Sequence, residues 1–351
     1  MKLQRLLIRF MLTALVVGSI FIFLRIPVFL SSFYSDKSIN VLVLPNIFDT
    51  SYIKEFEKES GIKVYITYFD TYEELMVKMR SGSGDYDLIM GVDYLVESLK
   101  EEDLIKPLDK SKIDFADRLY PAVKNLYCDP GMVYAIPFAW QIYGIGIDTL
   151  AFGGKLPKAS WALIFDKKYA SYRVGMIDYA REAVTLAAFY LFGKKRELSI
   201  HDLELVKELL LKQKKTVTLY TDFREDYLLI SKTCGIVVGL SNDINRAVME
   251  SKTIQFIVPE EGSFIGFDMF SIPIDSYKDD MTYSFLNYLY RKQVYKNYLE
   301  RFHFMPVLIG VVPRRDLFYI EPTERFMRKA NYFNYIIPEK ELHKLWITLK
   351  S

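Results

Sequence analysis

Cysteine and histidine are scarce in this chain of 351 residues. The two cysteines, Cys128 and Cys234, are too few for a disulfide scaffold or for a cysteine-based zinc site. They lie far apart in the chain, and we predict two buried free thiols rather than a disulfide bridge. The three histidines are scattered without the spacing of metal ligands, which argues against a metalloenzyme.

Sequence motifs of common catalytic sites are also missing. The chain contains no H-E-x-x-H, no G-x-S-x-G and no G-x-x-x-x-G-K-[ST] motif. Such motifs would indicate a zinc hydrolase, a serine hydrolase and a phosphate-binding loop, respectively. Their absence favours a binding protein over an enzyme and implies no cofactor.

The small excess of positive charge is confined to the N-terminus. The whole chain has 46 Lys and Arg against 44 Asp and Glu, a net charge of +2. Residues 1–35 hold no acid and four basic residues, so the rest of the chain sums to +2 − 4 = −2. A faintly acidic body without a stripe of Lys and Arg argues against nucleic acid as the main partner.

The N-terminal segment combines a positive start with an apolar run. Three basic residues precede Phe10–Leu24, which carries no charge and is typical of a secretory signal. If Arg9 snorkels, the run extends back to Leu6 and nears the roughly 20 residues of a membrane span. Residues 1–35 are therefore predicted to be a cleaved signal peptide or a retained anchor in the inner membrane. Either way, the body is periplasmic or otherwise extracytoplasmic.

Strand and helix patterns alternate along the rest of the chain, whose length suits two domains. Strands are predicted at residues 39–44, 63–69, 86–90, 173–177, 235–240 and 254–258. Helices are predicted at residues 52–60, after a Thr71–Glu74 capping box, at 179–193, after a Ser199–Asp202 cap and along 279–302. Residues 262–274 are predicted to be a crossover. This order predicts two α/β lobes with ligand at the carboxyl ends of the strands.

Several sequence blocks follow the order and spacing of one known family. They are FEKESGIKV (Phe56–Val64), FDTYEEL (Phe69–Leu75), YDLIMGVDYLVESL (Tyr86–Leu99), PLDKSKI (Pro107–Ile113), DPGMVYAIPFAWQIYGIGID (Asp129–Asp148), SWALIFDKKY (Ser160–Tyr169), DYAREA (Asp178–Ala183) and VPEEG (Val258–Gly262). Through them the chain resembles the periplasmic spermidine/putrescine-binding proteins, the solute receptors of ABC importers. The resemblance implies a type II periplasmic-binding-protein fold, in which two α/β lobes joined by a hinge enclose a ligand cleft. The implied lobes are 39–146 plus 267–312, and 147–266 plus 313–351.

The family's ligand-binding residues are only partly kept. By resemblance, Tyr94, Glu182 and Asp268 bind the ligand, because they match a tyrosine and two carboxylates of the family's site. This chain departs from the family at several positions. The family has an asparagine–tryptophan pair where this chain has Val43-Leu44, tryptophans where it has Leu240 and Gly266, tyrosines where it has Ile47 and Phe304, a serine where it has Val92 and an aspartate where it has Tyr179. Aromatic faces attract cations, so their loss leaves more of the recognition to charge.

Nearby side chains are candidates to replace what is missing. They are Phe48, Tyr179 and Phe267 as aromatic faces, and Asp178 and Asp243 as negative charge. Structural roles compete with these assignments: Asp178 is also a candidate helix cap, and Phe267 a candidate core residue. Glu182 beside Arg181 is a candidate surface ion pair, which would contribute little.

The sequence therefore predicts a non-enzymatic receptor outside the cytoplasm that captures a polyamine, a spermidine- or putrescine-like organic cation, for an ABC importer. The expected partners are that cation and the permease in the inner membrane, and the chain is expected to be a monomer. Two alternatives stay open. The same fold could bind a different small solute, which the lost tryptophans favour, or an anchored form could act as a ligand sensor or interaction protein.

Overall fold

The computed structural model describes residues 37–45, 50–82, 86–193, 197–221, 224–314, 317–333 and 337–351. The predicted signal or anchor at residues 1–35 lies outside the described residues, and so does the candidate ligand residue Phe48. Among the described helices, none combines the length and the apolar character needed to cross a membrane.

The first part of the chain folds as its alternating pattern predicts. Its elements are β1 (Ser38–Val43), α1 (Thr50–Ser60), β2 (Lys63–Tyr68), α2 (Tyr72–Ser81), β3 (Leu88–Val92) and α3 (Asp93–Glu101). β1 is parallel to both β2 and β3. The side chain of Thr71 caps α2 by accepting a hydrogen bond from the backbone nitrogen of Glu74 at 3.2 Å. The three strands therefore end at the same edge of the sheet.

A long central strand comes next. After β4 (Asn125–Leu126) and β5 (Asp129–Pro130), β6 (Ala135–Asp148) is buried along its whole length. A strand covered on both faces has a nearly continuous apolar sequence instead of an alternating one.

The second part of the chain repeats the parallel arrangement. Its elements are α4 (Ala162–Phe165), β7 (Val174–Ile177), α5 (Ala180–Phe192), α6 (Ile200–Lys214), β8 (Val217–Thr221), α7 (Glu225–Ile230), β9 (Ile236–Leu240), α8 (Ser241–Glu250) and β10 (Ile254–Ile257). β7 is parallel to both β8 and β9. Ser199 and Asp202 form the predicted cap of α6 as a complete capping box.

The last part of the chain differs from its prediction in two places. Residues 262–274 are not a crossover, because they contain β11 (Phe264–Ser271), which pairs antiparallel with β3 and β6. Burial on both faces removes the alternation that marks a half-exposed strand. The stretch 279–302 is two helices, α9 (Asp279–Leu289) and α10 (Lys292–Phe302). The remaining elements are β12 (Met305–Pro306), α11 (Glu324–Met327), β13 (Asn331–Tyr332) and α12 (Glu339–Lys350).

One sheet connects the two parallel sets, in the order β2-β1-β3-β11-β6-β9-β7-β8. β6 changes partner between Ile142, which lies opposite Ile265 of β11, and Tyr143, which lies opposite Leu240 of β9. The first half of the sheet is therefore joined to the second through β6. Both cysteines are buried and free, as predicted.

Candidate functional site

A cleft with a volume of about 950 Å³ lies where the parallel strands of both halves of the sheet end. Residues at or just after the strand ends line it: Leu44 and Pro45 (β1), Asp70 and Tyr72 (β2), Val92, Asp93 and Tyr94 (β3), Tyr179 and Glu182 (β7), Arg224 and Glu225 (β8), and Leu240, Asn242 and Asp243 (β9). The carboxyl ends of strands form the usual ligand crevice of open α/β sheets. The cleft is thus in the position that the strand pattern predicts.

Acidic side chains outnumber basic ones in this cleft, six to three. Five poorly exposed carboxylic side chains line it: Asp93, Glu182, Glu225, Asp243 and Asp268. Taking an ionised carboxylate out of water is costly unless a cation or several hydrogen-bond donors compensate for the lost hydration. A set of acids at these positions therefore gains most from a ligand that carries positive charge.

Asp268 lies on β11 and accepts a hydrogen bond from Nε2 of Gln141, on β6, at 2.7 Å. The residue is 8% exposed. Burial raises the pKa of the Asp268 carboxyl to about 7, although the hydrogen bond from Gln141 acts to lower it. A cation in contact with this carboxyl would favour its ionised form.

Glu182 lies in the first turn of α5, and the Tyr94 hydroxyl donates a hydrogen bond to its Oε1 atom at 3.4 Å. Burial raises the pKa of Glu182 to about 7, and the charge of Arg181 acts in the opposite direction. The Arg181 guanidinium lies over the Tyr94 ring, 5.2 Å from its centroid. Both Arg181 and Glu182 are buried, which excludes the alternative of an exposed surface ion pair.

Glu225 and Asp243 contact each other through their carboxyl groups. A hydrogen bond between two carboxyl groups requires that one of them keeps its proton. Burial raises the pKa of both groups, and that of Glu225 lies well above its usual range. Arg246 donates hydrogen bonds to Asp243 and to Asp226, so part of the negative charge here is balanced within the protein.

Further acceptors in the cleft lack a donor. Oε2 of Glu225 and Oδ1 of Asn242 are buried and receive no hydrogen bond from any residue within the described ranges. Asp93 accepts one from the backbone nitrogen of Tyr94 at 3.0 Å, and burial raises the pKa of its carboxyl to about 7. Buried polar atoms are normally paired, so the unpaired Oδ1 of Asn242 favours a ligand with an N–H donor.

Aromatic faces accompany the acids. Tyr72 and Tyr94 meet edge to face, with ring centroids 5.8 Å apart and planes at 82°, and Tyr179 lies 6.3 Å from Tyr72. Tyr143 and Phe333 form a second edge-to-face pair, 4.9 Å apart. Burial keeps the pKa of Tyr72, Tyr94 and Tyr143 well above the usual range, so these phenols stay neutral. The faces suit the methylene and ammonium groups of an organic cation.

Many lining residues are absent from the sequence-based prediction, among them Tyr72, Tyr143 and Glu225. The position of Tyr72 just after the end of β2 is a signal that could have found it. Glu225 follows β8, a strand that the pattern does not predict. Tyr143 lies within the continuous apolar run of β6, where no alternation shows which face each residue takes.

The structure brings five of the eight predicted ligand-binding residues into the cleft: Tyr94, Tyr179, Glu182, Asp243 and Asp268. Asp178 does not line it, because its carboxylate is bound by Nζ of Lys350 at 2.6 Å. Asp178 is also not the helix cap, since Tyr179 occupies that position and makes no side-chain cap hydrogen bond.

Phe267 is a core residue and does not line the cleft. Side chains alternate along a strand, so Phe267 points away from the face that carries Gly266 and Asp268. Its ring instead stacks on Trp140, with centroids 6.2 Å apart. Phe267 therefore offers no aromatic face to the cleft, although its two neighbours along β11 line it.

Six of the eight positions at which the chain departs from the family line the cleft, whereas Val43 does not and Ile47 lies outside the described residues. Leu44, Leu240 and Gly266, where the family has tryptophan, all line it, together with Val92 and Phe304. Most positions that match the family's site in sequence therefore also lie together in the cleft of this structure. At each position where the family has tryptophan, this chain has a leucine or a glycine in the wall of the cleft.

Comparison with known proteins gives consistent matches. Residues 51–318 match the model of the family described as bacterial extracellular solute-binding protein. The chain is 27% identical over 330 residues to the putrescine-binding periplasmic protein SpuD of Pseudomonas aeruginosa, which covers 85% of this chain and 88% of the relative. It is 29% identical over 259 residues to the putrescine-binding periplasmic protein PotF of Escherichia coli, covering 69% and 70%.

Solved structures agree on the fold. A structure described as a putative spermidine/putrescine ABC transporter from Listeria monocytogenes matches with a TM-score of 0.78 at 23% identity, over 90% of this chain and 99% of that one. These matches confirm the resemblance to the spermidine/putrescine-binding proteins and the periplasmic-binding-protein fold. Because the family model spans well over half of the sequence, this chain belongs to the bacterial extracellular solute-binding protein family.

Proposed function

We propose that this protein captures a polyamine, or a closely related small organic cation, outside the cytoplasm and delivers it to an ABC permease without changing it chemically. The observation that carries the proposal is the set of five poorly exposed carboxyl groups in one cleft, lined also by tyrosine rings. Polyamines supply ammonium groups for the acids and methylene chains for the rings. The names of the curated relatives, which specify putrescine or spermidine, support the same ligand class.

We further propose that two of the acids, Asp268 and Glu182, hold two separate ammonium groups. Asp268 belongs to β11, whereas Glu182 belongs to α5 in the second half of the fold. Contact between Tyr94 and Glu182 joins α3 to α5 across the cleft. In our proposal the lobes are 39–146 plus 267–312 and 147–266 plus 313–351, and the ligand draws them together as a monomeric receptor.

A ligand panel tests this function directly. The purified full chain is titrated by calorimetry at pH 8 with putrescine, spermidine, a neutral amino acid and a neutral sugar. We expect heat of binding for the polyamines only. Saturable binding of the sugar or the amino acid, with none of either polyamine, would overturn the proposal in favour of a receptor for another solute.

A further inference from the structure

Gly266 leaves an open place in the wall of the cleft. It lies on β11 two residues before Asp268, so both residues face the cleft. A Cβ atom built on Gly266 would have no neighbouring atom of the described residues within 4 Å. The backbone there has no positive φ, so the glycine is not required by the conformation of the chain.

Aromatic and aliphatic side chains surround this place. β13 pairs with β11 through Asn331 opposite Phe264 and Tyr332 opposite Ile265, so Phe333 follows at the level of Gly266. Phe333 packs edge to face against Tyr143 at 4.9 Å, and Leu240 lies opposite Tyr143 on β9. Gly266, Tyr143, Leu240 and Phe333 all line the cleft. We call the space bounded by Gly266, Tyr143, Leu240 and Phe333 the Gly266 recess.

The recess and the nearest carboxylate have a defined spacing. Two residues along a strand span about 6.5 Å, which separates the recess from the backbone of Asp268. A phenyl ring carried on a two-carbon chain is separated from its ammonium nitrogen by a comparable length. Rings also gain from edge-to-face contact with other rings, which Tyr143 and Phe333 provide at this position.

We propose that the preferred ligand is an organic cation that carries a flat ring, with its ammonium on Asp268 and its ring in the Gly266 recess. This inference rests on the proposed function and names a narrower ligand class for the same cleft. A linear polyamine can pair with the carboxylates, but its thin methylene chain leaves the walls of the recess without close contacts. Gly266 is then a specificity-determining position, because the missing side chain makes room for the ring of the ligand.

The parent protein gives the first test. The full chain is titrated by calorimetry at pH 8 with 2-phenylethylamine, butylamine and putrescine. Burial of the ring should make 2-phenylethylamine bind on the order of 10- to 100-fold more tightly than butylamine, which has one ammonium and no ring. Equal affinity for these two monoamines would overturn the inference.

Two variants of the same glycine give the second test. Gly266→Trp fills the recess and should weaken 2-phenylethylamine binding at least about tenfold more than it weakens putrescine binding. Gly266→Ala adds only a methyl group in open space, so the ratio of the two affinities should stay within about twofold of the ratio in the parent. An unchanged ratio in Gly266→Trp would contradict the inference, and thermal unfolding of the ligand-free variant shows whether it is folded.

The outcomes separate the two proposals. If the parent binds putrescine but no ring-bearing amine better than butylamine, the recess inference fails and the proposed function stands. If the parent binds none of the amines, the proposed function fails and the inference fails with it. If Gly266→Trp does not fold, the comparison of 2-phenylethylamine with butylamine on the parent decides the inference by itself.

Discussion

Several carboxyl groups in the cleft have pKa values well above their ordinary range. Burial raises the pKa of Asp93, Glu182 and Asp268 to about 7 in each case. In an unfolded chain the same groups titrate near pH 4. Between these two values the folded protein binds more protons than the unfolded one, so their contribution to stability is greatest at low pH and is lost as pH rises through 7. A bound cation would offset that loss by stabilising the ionised forms.

Because these carboxyl groups must ionise to bind a cation, ligand affinity is expected to rise with pH. Aliphatic ammonium groups stay protonated through neutral pH, so only the protein titrates. If Glu182 and Asp268 each lose a proton on binding, putrescine affinity should rise on the order of 100-fold from pH 6 to pH 8. Unperturbed carboxyl groups would confine the pH sensitivity to below about pH 5. Calorimetry at both pH values measures the difference.

The double variant Glu182→Gln plus Asp268→Asn is the control for this prediction. It removes both proton sites while keeping the size of the side chains, so the remaining pH dependence should be much smaller. An affinity in the parent that does not change between pH 6 and pH 8 would show that these carboxyl groups are already ionised in the ligand-free protein.

Sequence reasoning finds the site residues where a motif or a strand end marks them. Tyr94, Glu182 and Asp268 are candidates because they match a tyrosine and two carboxylates of the family's site. Phe267 shows the limit of the method, because moving one residue along a strand reverses the face that a side chain occupies. The contact of Asp178 with Lys350 joins residues from distant parts of the chain, and no local pattern encodes it.

At the scale of elements, the sequence predicts the short parallel strands and the capped helices best. The parallel strands β1, β2 and β3 and the caps of α2 and α6 follow from local patterns. β6 and β11 are poorly marked because both are buried on both faces, and their positions depend on the strands that cover them. The central strands, on which the cleft is built, are therefore the ones that the residue pattern identifies least well.

Glycine in β6 has a role that differs from that of Gly266. A Cβ atom at Gly144 would collide with the ring of Phe256 and lie 2.7 Å from the carbonyl oxygen of Ile257. The backbone of Ile257 is held by β10, which pairs with β6, so it has little freedom to move. The absence of a side chain at Gly144 therefore permits β10 to pack closely against β6.

We expect Gly144→Ala to lower the free energy of unfolding by roughly 1–3 kcal/mol, the range typical of overpacked sites. Gly266→Ala is the matched control, because its Cβ atom meets no described atom within 4 Å, and it should change stability little. Denaturant unfolding of the two variants and the parent, without ligand, measures the difference. Equal stability of all three would mean that the packing of β10 relaxes around the added methyl group.

At the scale of the whole molecule, one sheet passes from the first half of the fold to the second beside the cleft. The contacts of Tyr72 with Tyr179 and of Tyr94 with Glu182 bring residues of the two proposed lobes together over the site. A ligand held between lobes favours the closed arrangement only if it binds that arrangement more tightly than the open one. Carboxylates contributed from both sides would provide this difference.

We therefore predict that a saturating concentration of putrescine lowers the radius of gyration of the protein in solution. Small-angle X-ray scattering of the full chain with and without the ligand measures the change, and a neutral sugar at equal concentration serves as the control. An unchanged scattering profile at calorimetrically proven saturation would argue against closure of the two lobes.

The central claim is that buried carboxylates in the cleft bind the cation, and comparison of Asp268→Asn with Asp178→Asn tests it most directly. Asp268 lines the cleft, whereas Asp178 pairs with Lys350 outside it. Hydrogen bonds to charged groups contribute about 1.5–3 kcal/mol, so Asp268→Asn should weaken putrescine binding at pH 8 on the order of 10- to 100-fold. Asp178→Asn should bind within about twofold of the parent. Calorimetry that finds Asp268→Asn also within about twofold of the parent would contradict the account.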